Sequence, residues 1–184
     1  MSISSVIIAT GSYLPVNKVT NDELSKTVDT NDEWIRERTG ITMRHIAAEG
    51  QFTSHLAAEA AKAALKNANL AAADIDGIVV ATCTPDTHMP SVATKVQAAL
   101  GMQGGAAVDI AAACTGFVAA LSVAHGWIQT GVATRVLVIG AETMSRIVDW
   151  QDRNTCVLFG DGAGAVILEA STDLTRGIKA ITLH

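Results

Sequence analysis

Two short apolar runs, Ile78-Val79-Val80-Ala81-Thr82 and Arg135 to Ala141, lie between stretches with helical spacing. A run that is apolar at nearly every position reads as a strand covered on both faces, the kind found in parallel sheets. Helices fill the intervals. Thr53 or Ser54 caps one that runs to about Asn69, with alanines and leucines on a helical period. Pro90 opens another that Gly101 ends, and an apolar helix spans Val118 to Thr130. Upstream, Ser5 to Thr10 reads as a strand closed by Gly11 and Pro15. Thr20-Asn21-Asp22-Glu23 and Thr30-Asn31-Asp32-Glu33 each read as a cap with an acidic first turn, and Gly40 closes the second helix. Downstream, Ala163 to Glu169 and Ile178 to Leu183 read as two strands near enough to pair antiparallel. Strands that alternate with helices form βαβ units. The expected fold class is therefore α/β, with a mostly parallel mixed sheet and helices on both faces.

The 184 residues suit one domain with a real core, and 49% apolar against 17% charged residues suits close packing. The uncharged stretch Ile110 to Thr134 contains Thr, Gly, His, Gln and Ser, so it reads as a buried helix and not a membrane span. The first residues carry no basic segment followed by an apolar block, so no signal peptide is expected. A net charge of -5 argues against nucleic acid or an anionic membrane as partner. Cys83, Cys114 and Cys156 are odd in number and widely spaced, which suits a reducing cytoplasm and neither a disulfide framework nor a zinc motif. His45, His55, His88 and His125 also lack metal-ligand spacing, so no metal is expected. The chain stops at His184 straight after an apparent strand, which is expected of a piece cut from a larger fold.

The segment Ala106-Ala107-Val108-Asp109-Ile110-Ala111-Ala112-Ala113-Cys114-Thr115-Gly116-Phe117 carries the chemistry. A strand leads through three alanines to a thiol, and a helix follows. Unpaired N–H groups and the macrodipole at a helix start favour an anion, which lowers a thiol's pKa there. Alanines and Gly116 leave room for a substrate. In open α/β sheets, ligands collect at the carboxyl ends of strands, where Cys114 falls. A lone cysteine is otherwise an inert small hydrophobe, and Cys83 and Cys156 read as such core residues. Gly160, Gly162 and Gly164 imitate a phosphate loop, but Ala165-Val166-Ile167-Leu168 reads as strand where a helix is required. They are expected to form a tight turn near the site.

Ala111-Ala112-Ala113-Cys114-Thr115-Gly116-Phe117 resembles the active-site motif of the thiolase-like condensing enzymes, most closely β-ketoacyl-acyl-carrier-protein synthase III. Three further segments match that family in its order. They are Gly11-Ser12-Tyr13-Leu14-Pro15, then Thr30-Asn31-Asp32-Glu33-Trp34-Ile35 with Arg38-Thr39-Gly40-Ile41, and Phe159-Gly160-Asp161-Gly162-Ala163-Gly164-Ala165. The resemblance implies a thiolase-like layered fold built from duplicated βαβαβ halves. Residues 1–184 correspond to the first half, and the family's catalytic His and Asn belong to the second.

The chemistry so implied is acylation of Cys114 by acyl-coenzyme A, followed by decarboxylative attack from malonyl-acyl-carrier protein. The backbone N–H of Cys114 would donate to the oxyanion. By the same resemblance, Trp34 and Arg153 sandwich the adenine of coenzyme A, Thr30 hydrogen-bonds it and Arg38 meets the phosphates. Met89 enters the acyl pocket of a partner subunit, and Phe159 lines the pocket. Acyl-coenzyme A is a substrate, so no cofactor is implied. The resemblance also implies a homodimer paired through Ala106 to Ile110. Read from the residues alone, Trp34 anchors its helix to the core, and Arg38 and Arg153 are solvated charges. Two rival functions stand beside the first: a non-catalytic half that serves interaction, and a secondary-metabolite condensing enzyme with another acyl starter.

Overall fold

The structure, a computed structural model, describes residues 3–183. Five strands form one sheet in the order β1-β7-β6-β4-β5. They are β1 (Ser4–Tyr13), β4 (Gly77–Ala81), β5 (Ala106–Ile110), β6 (Arg135–Thr143) and β7 (Asp161–Ser171). β4 runs parallel to both β5 and β6, whereas β7 is antiparallel to both β1 and β6. Four strands thus share a direction and β7 alone opposes them.

All five residues of β4 are buried, and alternate side chains leave on opposite faces. Ile78 and Val80, with Leu137 and Ile139 of β6, pack under helices α3 (Thr53–Ala68) and α4 (Val92–Ala99). Val79 and Ala81, with Val136 and Val138, pack under α5 (Gly116–Gln129). The unbroken apolar runs in the sequence follow from this double cover, each such side chain contributing roughly 1.5–3 kcal/mol on burial. α3 presents Ala57, Ala60, Ala61 and Ala64 to the sheet and so comes very close to it. A Cβ at Gly11 would sit 2.2 Å from the backbone nitrogen of Ala64 and 2.4 Å from the carbonyl oxygen of Ala60. Gly11 is therefore not the end of β1, as expected, but the point inside it where α3 touches down.

Other expectations are corrected by the packing. α3 has neither Thr53 nor Ser54 as its N-cap. Phe52 holds that place, its N–H donating to His55 Nδ1 at 2.9 Å, because the Thr53 hydroxyl is committed to a buried contact with Thr84. Ile178 to Leu183 forms no strand. Ile178 makes a single bond to Ser5 on the β1 edge, and one bond is no ladder. Gly162 and Gly164 lie inside β7, paired with β6 and β1, and not in a turn.

A two-stranded sheet, β2 (Asn17–Thr20) with β3 (Met43–Ile46), was not expected. Thr20 ends β2 and caps α1 (Asn21–Leu24), exchanging bonds with Glu23. Asn31 caps α2 (Asp32–Thr39) by accepting from the Trp34 N–H at 2.8 Å, and Gly40 ends it with φ 72°. These helices and the segment around Cys156 and Val157 enclose a small third core, against which Trp34 packs. Among the described residues, no helix is long and apolar enough to cross a membrane.

Candidate active site

The strand β5 ends at Ile110, and the chain then turns sharply before α5. Cys114 sits in a single 3₁₀ turn, Ala113–Thr115, so α5 starts at Gly116 and not at Val118. Ala113 has φ 45°, a left-handed conformation that costs a non-glycine residue roughly 1–2 kcal/mol. The Thr115 hydroxyl and N–H both donate to the carbonyl of Ala112, at 2.8 and 3.1 Å, and hold the turn closed. The result aims Cys114 outward, exposed, at the mouth of α5, whose first turn has no side-chain cap. Gly116 packs with its Cα against Ala81 of β4, where even a methyl group would stand only 3.4 Å from the Ala81 Cβ. In the intact protein, Ala113→Gly is expected to leave unfolding free energy within about 1 kcal/mol of wild type. Ala113→Val, β-branched at positive φ, is expected to lower it by roughly 2 kcal/mol, read by urea titration.

Cys114 opens into a cavity of about 570 Å³ lined by Cys83, Ala113, Cys114, Glu142, Met144, Leu158, Phe159, Gly160 and Gly162. Phe159 thus faces the same space as Cys114. Cys83 does too, and it is exposed where a core position was expected. It lies two residues beyond the end of β4, past the double cover that buries the strand. Cys156 is fully buried, and burial pushes its thiol pKa up. Glu142, which sequence reasoning passed over, reaches the cavity from the end of β6. A carboxylate closing an apolar strand at its carboxyl end was the available signal.

The second group of candidates gathers around Trp34. The guanidinium carbons of Arg38 and Arg153 each lie 4.5 Å from the centre of its ring. Arg153 also approaches the fully exposed Asp29 at 3.7 Å, a surface pair of little energetic weight. Thr30 Oγ1 and Arg153 Nε are buried with no hydrogen-bond partner inside the protein. Read as mere surface charges, Arg38 and Arg153 would not both lie on one ring. The segment Arg153 to Phe159 runs from this platform to the Cys114 cavity. A groove of about 240 Å³ between Ile41 and Gly160 shares Leu158 and Phe159 with that cavity. Met89 stands apart, 86% exposed on the β4–α4 connection. A larger groove of about 760 Å³, between Tyr13 and Ala99, contains none of the candidates. His125 bonds Ser5 across the sheet at 2.9 Å and takes no part in the site.

A cysteine displayed on a strained corner after a parallel strand, in a sheet of this order, marks a thiolase-like fold. The model of the family described as 3-oxoacyl-[acyl-carrier-protein (ACP)] synthase III matches residues 108–184. A β-ketoacyl-[acyl-carrier-protein] synthase III of Rhodobacter capsulatus is 61% identical over 188 residues, covering 100% of this chain and 58% of the relative. The crystal structure of the Aquifex aeolicus synthase III superposes with a TM-score of 0.89 at 54% identity, over 92% of this chain and 55% of that one. A priming β-ketosynthase from the R1128 polyketide pathway gives 0.87 at 37% identity, over 91% of this chain and 50% of that one. The chain belongs to the β-ketoacyl-[acyl-carrier-protein] synthase III family as its N-terminal part, and spans little more than half the length of these relatives.

Proposed function

We propose that this chain is the nucleophile-bearing part of an acyltransferase that starts fatty-acid synthesis. Cys114 takes an acyl group from acyl-coenzyme A as a thioester, and the carbanion from decarboxylation of malonyl-acyl-carrier protein then attacks it. The observation that carries the reading is the exposed Cys114 on its strained corner, facing a cavity with Phe159. The uncapped N–H groups at the start of α5 suit an oxyanion developing on the thioester carbonyl. Incubation of the intact protein with acetyl-coenzyme A should add an acyl mass to the peptide bearing Cys114. No adduct there, with activity retained in Cys114→Ala, would sink the proposal.

The Trp34 platform serves the coenzyme A nucleotide. A flat base stacked on the indole would displace or interleave the Arg153 guanidinium, with Thr30 and Arg38 as further polar contacts. Stacking of a base on an aromatic ring contributes about 1–3 kcal/mol. Trp34→Ala is therefore expected to raise KM for acyl-coenzyme A by about tenfold or more, and to leave KM for an acyl-pantetheine, which lacks the nucleotide, unchanged. Equal effects on both would contradict the assignment.

Homodimerisation fits the exposed edge of β5, whose backbone groups invite a second strand. In the dimer Met89 would reach the partner's cavity. A cytoplasmic setting fits the three free cysteines. The polyketide-priming neighbour supports a second reading in which another acyl starter is loaded. Profiling acyl-coenzyme A substrates separates the two.

A further inference from the structure

We propose that Glu142 is a positioning residue that holds Cys83 in the wall of the acyl cavity, together with the buried Thr84 next to it, and thereby sets which acyl groups fit. This rests on Cys114 being the acylated nucleophile. Glu142 pairs with Gly162 across β6 and β7, and its side chain reaches the residues just beyond β4. Its Oε1 accepts from the backbone N–H of Cys83 at 2.7 Å. Its Oε2 accepts from the Thr84 hydroxyl, and from that of Thr82 at 3.3 Å.

The Thr84 bond is the end of a directed chain. Thr53 and Thr143 are fully enclosed and Thr84 is 4% exposed. The Thr53 hydroxyl donates to the Thr84 carbonyl at 2.5 Å, so its single proton is used and the 2.7 Å contact with Thr143 must be donated by Thr143. The Thr84 hydroxyl oxygen accepts from the Thr143 N–H at 2.8 Å, and its own proton goes to Glu142. Every hydroxyl proton is thus assigned, and the chain closes only on an acceptor. Cys83 N–H and Thr84 O–H both need acceptors on the same side chain. A carboxylate supplies two, whereas a carboxamide supplies one and turns a donor toward the other. The requirement for a carboxylate here is consequently a matter of acceptor count, and its product is a fixed Cys83 in the cavity that Cys114 and Phe159 also line.

The test uses the intact protein, with Glu142→Gln and, as a second variant that keeps side-chain shape, Thr84→Val. Acetyl-, isobutyryl- and hexanoyl-coenzyme A serve as probes, with kcat/KM for each and the acyl adduct on Cys114 read by mass. In a Cys114→Ala background, the alkylation rate of Cys83 by iodoacetamide reports directly on the wall. Both variants are expected to acylate Cys114 with acetyl-coenzyme A and to shift the acetyl-to-hexanoyl ratio of kcat/KM by about tenfold or more. Cys83 alkylation should accelerate by a similar factor. Wild-type ratios and a wild-type Cys83 rate in folded Glu142→Gln overturn the inference. If that variant does not fold, the same result in Thr84→Val overturns it. If wild type itself forms no adduct on Cys114, the functional reading fails, and the alkylation rates alone then decide the role of Glu142.

Discussion

Cys114→Ala in the intact protein is expected to abolish the acyl adduct and to lower condensation by at least about 10³-fold. The expectation follows from covalent catalysis: without a nucleophile the acyl group has no thioester to occupy, and the two-step route collapses to direct transfer. Cys114→Ser should recover little, because a serine hydroxyl is far less ionised than a thiol, and Glu142, the carboxylate that lines the same cavity, is committed to Thr82, Cys83 and Thr84. The other thiols give internal controls. Cys156 is enclosed in the third core and should resist iodoacetamide in the folded protein, whereas Cys83 and Cys114 are both exposed and should react. Acetyl-coenzyme A added beforehand should protect Cys114 alone. Protection of Cys83 in its place would move the nucleophile to the end of β4.

The second large effect concerns stability. Gly11→Ala is expected to destabilise the intact protein by about 3 kcal/mol, at the upper end of the overpacking range. The added methyl would stand 2.2, 2.4 and 2.8 Å from backbone atoms of Ala64, Ala60 and Ala63, and backbone inside a helix cannot step aside as a flexible side chain would. Either α3 lifts from the sheet, exposing Leu56 and the alanine face, or β1 breaks its pairing with β7. Gly126→Ala provides the contrast. Gly126 lies within α5 with open space around its Cα, so the same methyl group should stabilise by about 0.5–1 kcal/mol through helix propensity. Urea unfolding of the two variants should therefore shift in opposite directions. A neutral Gly11→Ala would mean that α3 does not pack as closely as described.

The legible parts of the sequence were those whose physics is local or strongly periodic. β4 and β6 announce themselves because both faces are covered, and α2 announces itself through Asn31 and Gly40. The corner at Cys114 reads from its neighbours, although its strain at Ala113 does not, since nothing local marks an alanine for positive φ. β2 and β3 escaped because four-residue strands, largely exposed or half-buried, leave no periodic trace. Ile178 to Leu183 misled for the opposite reason: it has strand composition but only one bond to the β1 edge. Cys83 and Glu142 were invisible as a pair because their meeting depends on β4 and β6 being neighbours in the sheet. The Trp34 platform likewise joins Arg38, one helical turn away, to Arg153, which only the tertiary fold brings near.

The lone reversed strand also governs when this sheet can exist. β7 is inserted between β1 and β6, and its register joins Ser4 to Ser171. During synthesis, β1 and β6 must each wait with an unpaired edge until residues beyond 160 have emerged. Contacts so distant in sequence form slowly, and open apolar edges are where chains associate wrongly. A nascent chain halted before β7 should therefore be protease-sensitive throughout β1, and one halted after it should be protected there.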